Sequence, residues 1–297
     1  MNEIIADMAE EAQLEKYRET GDLDVSYAPK GIGRFRVNIH RQRGMNAITM
    51  RHVKSKIRTA EELSLPGVIE KIAALQRGII IICGTTGSGK STTLAAMLDY
   101  MNKNYSRHII TIEDPIEYEF EDKNCLFEQR EVGLDTSSFY SALVHSLRQD
   151  PDVIMVGEMR DRESFEAALT AADTGHLVLT TLHATNATQV ITRILDFYPK
   201  EEQDPIRESL ALNLQATIAQ RLLPKAFGGG VVPVNEVMIN TTVVRNLLQK
   251  NKLDKLPQAI AAGKEDGMLS FNASILERIN NGEITEEVGL EASAEPE

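Results

Sequence analysis

Gly84-Thr85-Thr86-Gly87-Ser88-Gly89-Lys90-Ser91 decides the reading of this chain. The stretch matches in full the pattern G-x-x-x-x-G-K-[ST], a loop that cradles nucleotide phosphates. Its flanks are those such a loop needs. The apolar run Ile79-Ile80-Ile81-Ile82-Cys83 predicts a buried strand, and Ser91–Met101 predicts the helix that follows. Glycines at 84, 87 and 89 let the backbone curl until its N–H groups point inward at phosphate oxygens. The helix start adds partial positive charge, Lys90 adds a full one, and the Ser91 hydroxyl offers a ligand to Mg²⁺. With Thr92 in the first helical turn, residues 84–92 are the expected phosphate-binding segment of a protein that takes a nucleoside triphosphate. A chance glycine-rich turn does not bring strand, loop, lysine, hydroxyl and helix together in this order.

Outward from the loop, strand, loop and helix alternate from about Leu65 to Lys225, the pattern of a parallel sheet covered by helices and an α/β fold. Strands are expected at Ile79–Cys83, His108–Ile112, Val153–Val156 and Leu177–Thr181, whose Val, Ile and Leu content suits burial on both faces. Helices are expected at Phe139–Leu147, Glu163–Ala172 and Ala187–Leu195, with a longer amphipathic one over Ile206–Leu223. Gly228-Gly229-Gly230 reads as a flexible joint, Pro233–Ile239 as a strand, and Val243–Gln249 and Ser270–Asn280 as further helices. Before all this, residues 1–20 read as one charged helix, and Asp22–Tyr27, Arg34–His40 and Ile48–Val53 as half-buried strands. Thr59-Ala60-Glu61-Glu62 resembles a capping box. The expected division is a small α+β domain over 1–58, a linker over 59–65 and a nucleotide-binding domain with a helical end over 66–285. Residues 286–297, acidic and poor in aromatics, form an expected disordered tail.

Ligands of an open parallel sheet sit beyond the carboxyl ends of its strands. Three strands there deliver Glu113, Glu158 and His183 toward the loop that holds Lys90. Triphosphate hydrolysis needs a carboxylate to position or deprotonate water, Mg²⁺ ligands, and positive charge where the transferring phosphoryl turns negative. Either Glu113 or Glu158 can serve the water while the other serves the metal. The favoured assignment gives Glu158 and Ser91 to the metal shell and Glu113 to the base, with a helix-capping role as the bland alternative for one of them. His183 is placed to touch the γ-phosphate and report its loss. His176, at the opposite end of that strand, reads as structural, and Asp152, which precedes its strand, reads as a turn residue rather than a metal ligand. Within one chain no second cation near the loop completes the charge balance. Arg36 and Arg51 of the small domain reach a nucleotide most naturally from a neighbouring subunit; otherwise they lie on a solvated strand face.

A formal charge of −12 over 297 residues argues against a protein that coats nucleic acid, although Lys30, Arg34, Arg36, His40, Arg41 and Arg43 form a local basic cluster. The two cysteines make no disulfide framework and no C-x-x-C zinc site. No apolar run approaches the ~20 residues that cross a bilayer, and the acidic start does not resemble a signal peptide, so a cytosolic protein is expected.

The motifs taken together resemble the secretion and type IV pilus ATPase superfamily. The likeness runs from about Gly31 to Gly282. It covers Gly31-Ile-Gly-Arg-Phe-Arg-Val-Asn38, the phosphate loop and Thr111-Ile-Glu-Asp-Pro-Ile-Glu117, which is similar to the family's Asp box. Leu147–Arg160 resembles its atypical Walker B, with Gly157-Glu158 where the acid belongs, and Thr174–Ala187 resembles its His box. The zinc-binding cysteines usual in extension and secretion motors are missing, while Gln129–Asp135 and Val244-Arg-Asn-Leu-Leu248 are more similar to retraction ATPases. The resemblance implies a RecA-like domain behind a PAS-like N-terminal domain that is short here, the phosphate loop lying closer to the start than in typical members. It implies Mg²⁺-dependent ATP hydrolysis in a homohexameric ring, nucleotide between the two domains, and arginines matching Arg36 and Arg51 approaching it. Rotation between domains would then drive a membrane-embedded pilus platform protein at the cytoplasmic face of the inner membrane, alone or beside a paralogous retraction ATPase. An extension or secretion motor, a nucleotide-binding accessory subunit and, more distantly, a nucleic-acid translocase are the competing functions.

Overall fold

The computed structural model describes residues 2–53 and 56–293. The chain divides into two compact units, one of Met1–Ile57 with Pro115–Glu119, the other of Arg58–Asp114 with Phe120–Glu297.

In the first unit, helices α1 (Asn2–Met8) and α2 (Glu11–Thr20) precede an antiparallel sheet of β1 (Asp22–Tyr27), β2 (Phe35–Gln42) and β3 (Met45–His52). The single helix expected over 1–20 is two, because Glu10 takes extended backbone and forms a capping box with Gln13, starting α2 afresh. Ile5, Tyr17, Leu23, Val25, Val37 and Ile39 form the core, so β2 is apolar at alternate positions as its sequence requires. Arg34 Nη1 lies 3.5 Å from Glu119 of the same unit.

The second unit runs α3 (Val68–Ala73), β4 (Gly78–Cys83), α4 (Lys90–Asn104), β5 (His108–Glu113), β6 (Leu126–Glu131), α5 (Phe139–Ser146), β7 (Val153–Val156), α6 (Arg162–Asp173), β8 (Leu177–Leu182) and α7 (Ala187–Leu195). It continues through α8 (Gln203–Asn213), β9 (Leu214–Pro224), β10 (Val231–Ile239), α9 (Thr242–Gln249), α10 (Leu256–Ala262), α11 (Phe271–Asn280) and α12 (Glu286–Ala292). The sheet order is β10-β9-β4-β8-β7-β5-β6, parallel throughout except for β10, which closes one edge antiparallel to β9. Ile79 and Ile81 enter one hydrophobic cluster while Ile80 and Ile82 enter the other. That is why β4 carries an unbroken apolar run: each face of the sheet has its own core to fill.

Several further expectations are corrected. The helix expected over Ile206–Leu223 ends at Asn213, and Leu214–Pro224 is strand β9, lying between β4 and β10. The tail expected to be disordered from 286 forms α12, whose Thr285 cap accepts from the Val288 N–H and whose Glu286 and Glu287 suit the positive helix end; residues 294–297 lie outside the described residues. Gly228-Gly229-Gly230 is the turn of the β9–β10 hairpin, with φ of 76°, 69° and 86°, a left-handed run that side-chain-bearing residues resist. Thr59 and Glu62 do exchange capping-box bonds, at 2.9 and 3.1 Å, but they close a turn and the next helix begins at Val68. Among the described residues no helix is long and apolar enough to cross a membrane.

Candidate active site

Strand β4 ends in the middle of the sheet, and the chain turns there through Gly84–Gly89 into α4. Gly84 has φ 156° and Gly89 φ 89°; a Cβ on Gly84 would sit 2.3 Å from Ser88 Oγ and one on Gly89 2.7 Å from Gln220 Nε2, so both positions accept glycine alone. The N-cap of α4 is Gly89, which places no side chain over the first turn. The N–H groups of that turn are therefore left to an anionic ligand, with the helix dipole behind them. Lys90 folds back over the loop, its Nζ donating to the carbonyls of Gly84 and Thr85 at 3.0 Å each. Thr85, Thr86 and Gly87 are exposed at the tip, Ser91 and Thr92 half-buried at the helix start.

The neighbouring strands bring the predicted carboxylates and imidazole to the same end of the sheet. Glu113 closes β5 and is buried, its Oε1 accepting from Thr111 Oγ1 at 2.8 Å and Gln129 Nε2 at 3.3 Å. The chain leaving β7 turns at Gly157, which donates to the Ile112 carbonyl at 2.8 Å and whose missing side chain leaves 3.6 Å to the Glu113 Cα. Thr181 of β8 holds this turn by donating to the Gly157 carbonyl at 2.6 Å. Glu158 pairs with Arg160, and its Oε2 lies 3.5 Å from His183 Nε2, just beyond β8. Burial, then the charges of Lys90, Arg160 and Arg193, lower the His183 pKa below 6.5, so the ring beside Glu158 is neutral near pH 7. Cys83, fully buried behind the loop, has its thiol pushed up by burial and is chemically inert.

Asp152 stands before β7, at the far end of the sheet, accepting from the His108 N–H at 2.8 Å. His176 likewise starts β8 and bonds the Ala171 carbonyl at 2.9 Å. Arg36 and Arg51 are directly paired across β2 and β3 in the first unit, both exposed.

Sequence reading missed Gln220, because its segment was assigned to a helix. On β9, Gln220 Nε2 donates to the Ser88 carbonyl at 2.7 Å and its Oε1 accepts from Thr93 Oγ1 at 2.7 Å. Its segment, Ala216-Thr-Ile-Ala-Gln-Arg-Leu-Leu223, mixes polar and apolar residues and gives Gln220 no distinct signal. Gln220 lines two cavities of the second unit. One, of about 380 Å³, meets Gly89 and Thr92 and is walled by Leu63, Leu65, Leu222 and Val232. The other, of about 500 Å³, meets residues 84–88, with Thr185 and the end of α12 at Glu291–Ser293 opposite. A polar groove over the phosphate loop beside a more apolar cleft suits a nucleotide: phosphates on the loop, base and sugar in the cleft.

The model of the type II/IV secretion system protein family matches residues 29–264. A type IV pilus ATPase, PilU, of Pseudomonas aeruginosa is 43% identical over 97% of this chain and 75% of its own length. The type IV pilus retraction ATPase PilT of the same organism is 44% identical over 99% of this chain and 85% of its own. A crystal structure of the pilus retraction motor PilT with bound ADP superposes with a TM-score of 0.92 at 44% identity, covering 99% of this chain and 84% of that one. With its phosphate loop, strand-end carboxylates and fold in place, the chain belongs to the type II/IV secretion system protein family and is one of its ATPases.

Proposed function

We propose that this chain is a subunit of the motor that retracts type IV pili, hydrolysing ATP on the loop at Gly84–Ser91. What supports the reading is that Glu113, Glu158 and His183 stand at the carboxyl ends of their strands, the end of the sheet at which the phosphate loop leaves β4, with His183 3.5 Å from Glu158 and within reach of the Lys90 charge, in a chain 44% identical over its length to a retraction ATPase. Glu113 is the base, its buried carboxylate oriented by Thr111 and Gln129, and Glu158, beside Arg160 and His183, serves the metal shell. Lys90 leaves the Gly84 and Thr85 carbonyls for the β- and γ-phosphates, and the uncapped first turn of α4 binds the same oxygens.

The donor set also fits magnesium. With few protein ligands at hand, substrate phosphate oxygens and water would complete a magnesium shell here. Ser91 and Glu158 are the residues that would hold the ion, which would neutralise charge developing on the phosphates. Arg36 and Arg51 stand opposite each other as like charges, a costly pairing that an anion between them relieves; we assign them to the nucleotide of a neighbouring copy. That assignment calls for a homo-oligomer, a hexameric ring, working at the cytoplasmic face of the inner membrane on a pilus platform protein. Near-equal identity to two pilus ATPases of one organism favours operation beside a paralogous ATPase as well.

The test is steady-state ATPase activity of the purified chain with Mg²⁺, compared with Lys90→Ala and Glu113→Gln. Magnesium-dependent turnover that both substitutions abolish supports the reading; an unchanged rate in Lys90→Ala ends it.

A further inference from the structure

Within the phosphate loop Lys90 ties the Gly84 and Thr85 carbonyls, and no side chain caps the helix that follows. A neighbouring strand meets the loop's far end. The register of the sheet sets this: Ala219 of β9 stands opposite Cys83, which brings Gln220 alongside Gly84 as the chain leaves β4. Gln220 is 3% exposed and meets the loop at both ends. A Cβ on Gly84 would lie 2.5 Å from its carbonyl oxygen and one on Gly89 2.7 Å from its side-chain nitrogen.

Its hydrogen bonds have a fixed sense. The Ser88 carbonyl, 2.7 Å away, can only accept, so the amide nitrogen must face it. The amide oxygen then receives Thr93 Oγ1 at 2.7 Å and Asn235 Nδ2 at 3.1 Å. Asn235, fully buried on β10, is itself held through its N–H to Ser274 Oγ of α11 at 3.1 Å. The last peptide groups of the loop and the first turn of α4 are thereby tied to β9, β10 and α11 through one amide. No residue with only donors or only acceptors can make all these bonds.

We propose that Gln220 is the positioning residue of the phosphate loop: it holds the Ser88 carbonyl outward so that the N–H groups of the loop face the nucleotide phosphates. The inference rests on the reading of residues 84–91 as the nucleotide site. A residue that merely supports the fold lowers the active fraction, and so kcat, at unchanged KM. One that shapes the phosphate cradle raises KM and weakens ADP binding together.

The experiment measures KM and kcat for ATP and the Kd for ADP in the full chain, in Gln220→Met and in Thr93→Val, with thermal melts alongside. Gln220→Met keeps the length but not the hydrogen bonds; it is expected to raise KM and the ADP Kd about tenfold, which is about 1.4 kcal/mol, with kcat within about threefold. Thr93→Val, which removes one donor to the amide oxygen, is expected to raise both about threefold. Unchanged KM in the two variants, or loss of kcat alone, overturns the proposal. Should Gln220→Met fail to fold, the KM of Thr93→Val decides. Failure of the unsubstituted chain to bind ADP would instead overturn the nucleotide site itself.

Discussion

Lys90 is buried with its ammonium donating to the Gly84 and Thr85 carbonyls, and a bond to a phosphate would be stronger than either. Lys90→Ala is therefore expected to reduce ATP turnover by at least about 100-fold, read by steady-state phosphate release. Glu113→Gln keeps the bonds from Thr111 and Gln129 in kind but removes the base; turnover should fall about 10²–10⁴-fold while ADP affinity stays within a few-fold. His183 offers a test without turnover. Its imidazole is held below 6.5 by burial and by nearby cations, Lys90 among them, so its NMR titration midpoint should lie below that value and rise when nucleotide phosphates bind. The linked stability follows the same sign. A histidine whose folded pKa is depressed is charged more readily in the unfolded chain, so stability is lost as pH falls through about 6.5 and levels off below the folded midpoint.

Among the elements, the central strands were legible because strands buried on both faces are rich in Val, Ile and Leu: β4 and β7 are unbroken apolar runs, and β5 and β8 are mostly apolar. The placement of Glu113, Glu158 and His183 at one end of the sheet follows from where β5, β7 and β8 end. Strand β6, Leu126-Phe-Glu-Gln-Arg-Glu131, was not found, since an edge strand with one neighbour has no second core to fill and carries charge. Strand β9 was misread for a different reason. It follows α8 directly at Leu214 with no glycine or proline between them, and its apolar content on both faces imitates a buried helix. Gln220 was lost with it, because a polar residue on a helix surface means little and one pressed against a phosphate loop means much. The helix starts were easier: Asn186 accepts from the Gln189 N–H at 2.8 Å to begin α7 just past His183. Asn186→Ala should lower stability to urea by about 1 kcal/mol and loosen the His183 turn.

Across the molecule, the chain separates into two units, and Pro115–Glu119, directly after strand β5, groups with the small first unit. No local signal in Pro-Ile-Glu-Tyr-Glu marks that membership, which arises from contacts far apart in sequence. Assembly belongs to this scale. The facing arginines of β2 and β3 make sense as anion ligands for another copy, so light scattering should give a particle about six times the 33.0 kDa chain, most fully in ATP. Arg36→Ala and Arg51→Ala should lower turnover while leaving ADP binding to the phosphate loop intact.

The most direct measurement is the structure of the chain with magnesium and a non-hydrolysable ATP analogue. The account predicts that Lys90 Nζ has left the Gly84 and Thr85 carbonyls for the β- and γ-phosphates, with a water about 3 Å from the Glu113 carboxylate and in line with the γ-phosphorus. Phosphates bound away from residues 84–91, or Glu113 turned from the terminal phosphate with no water between them, would contradict it.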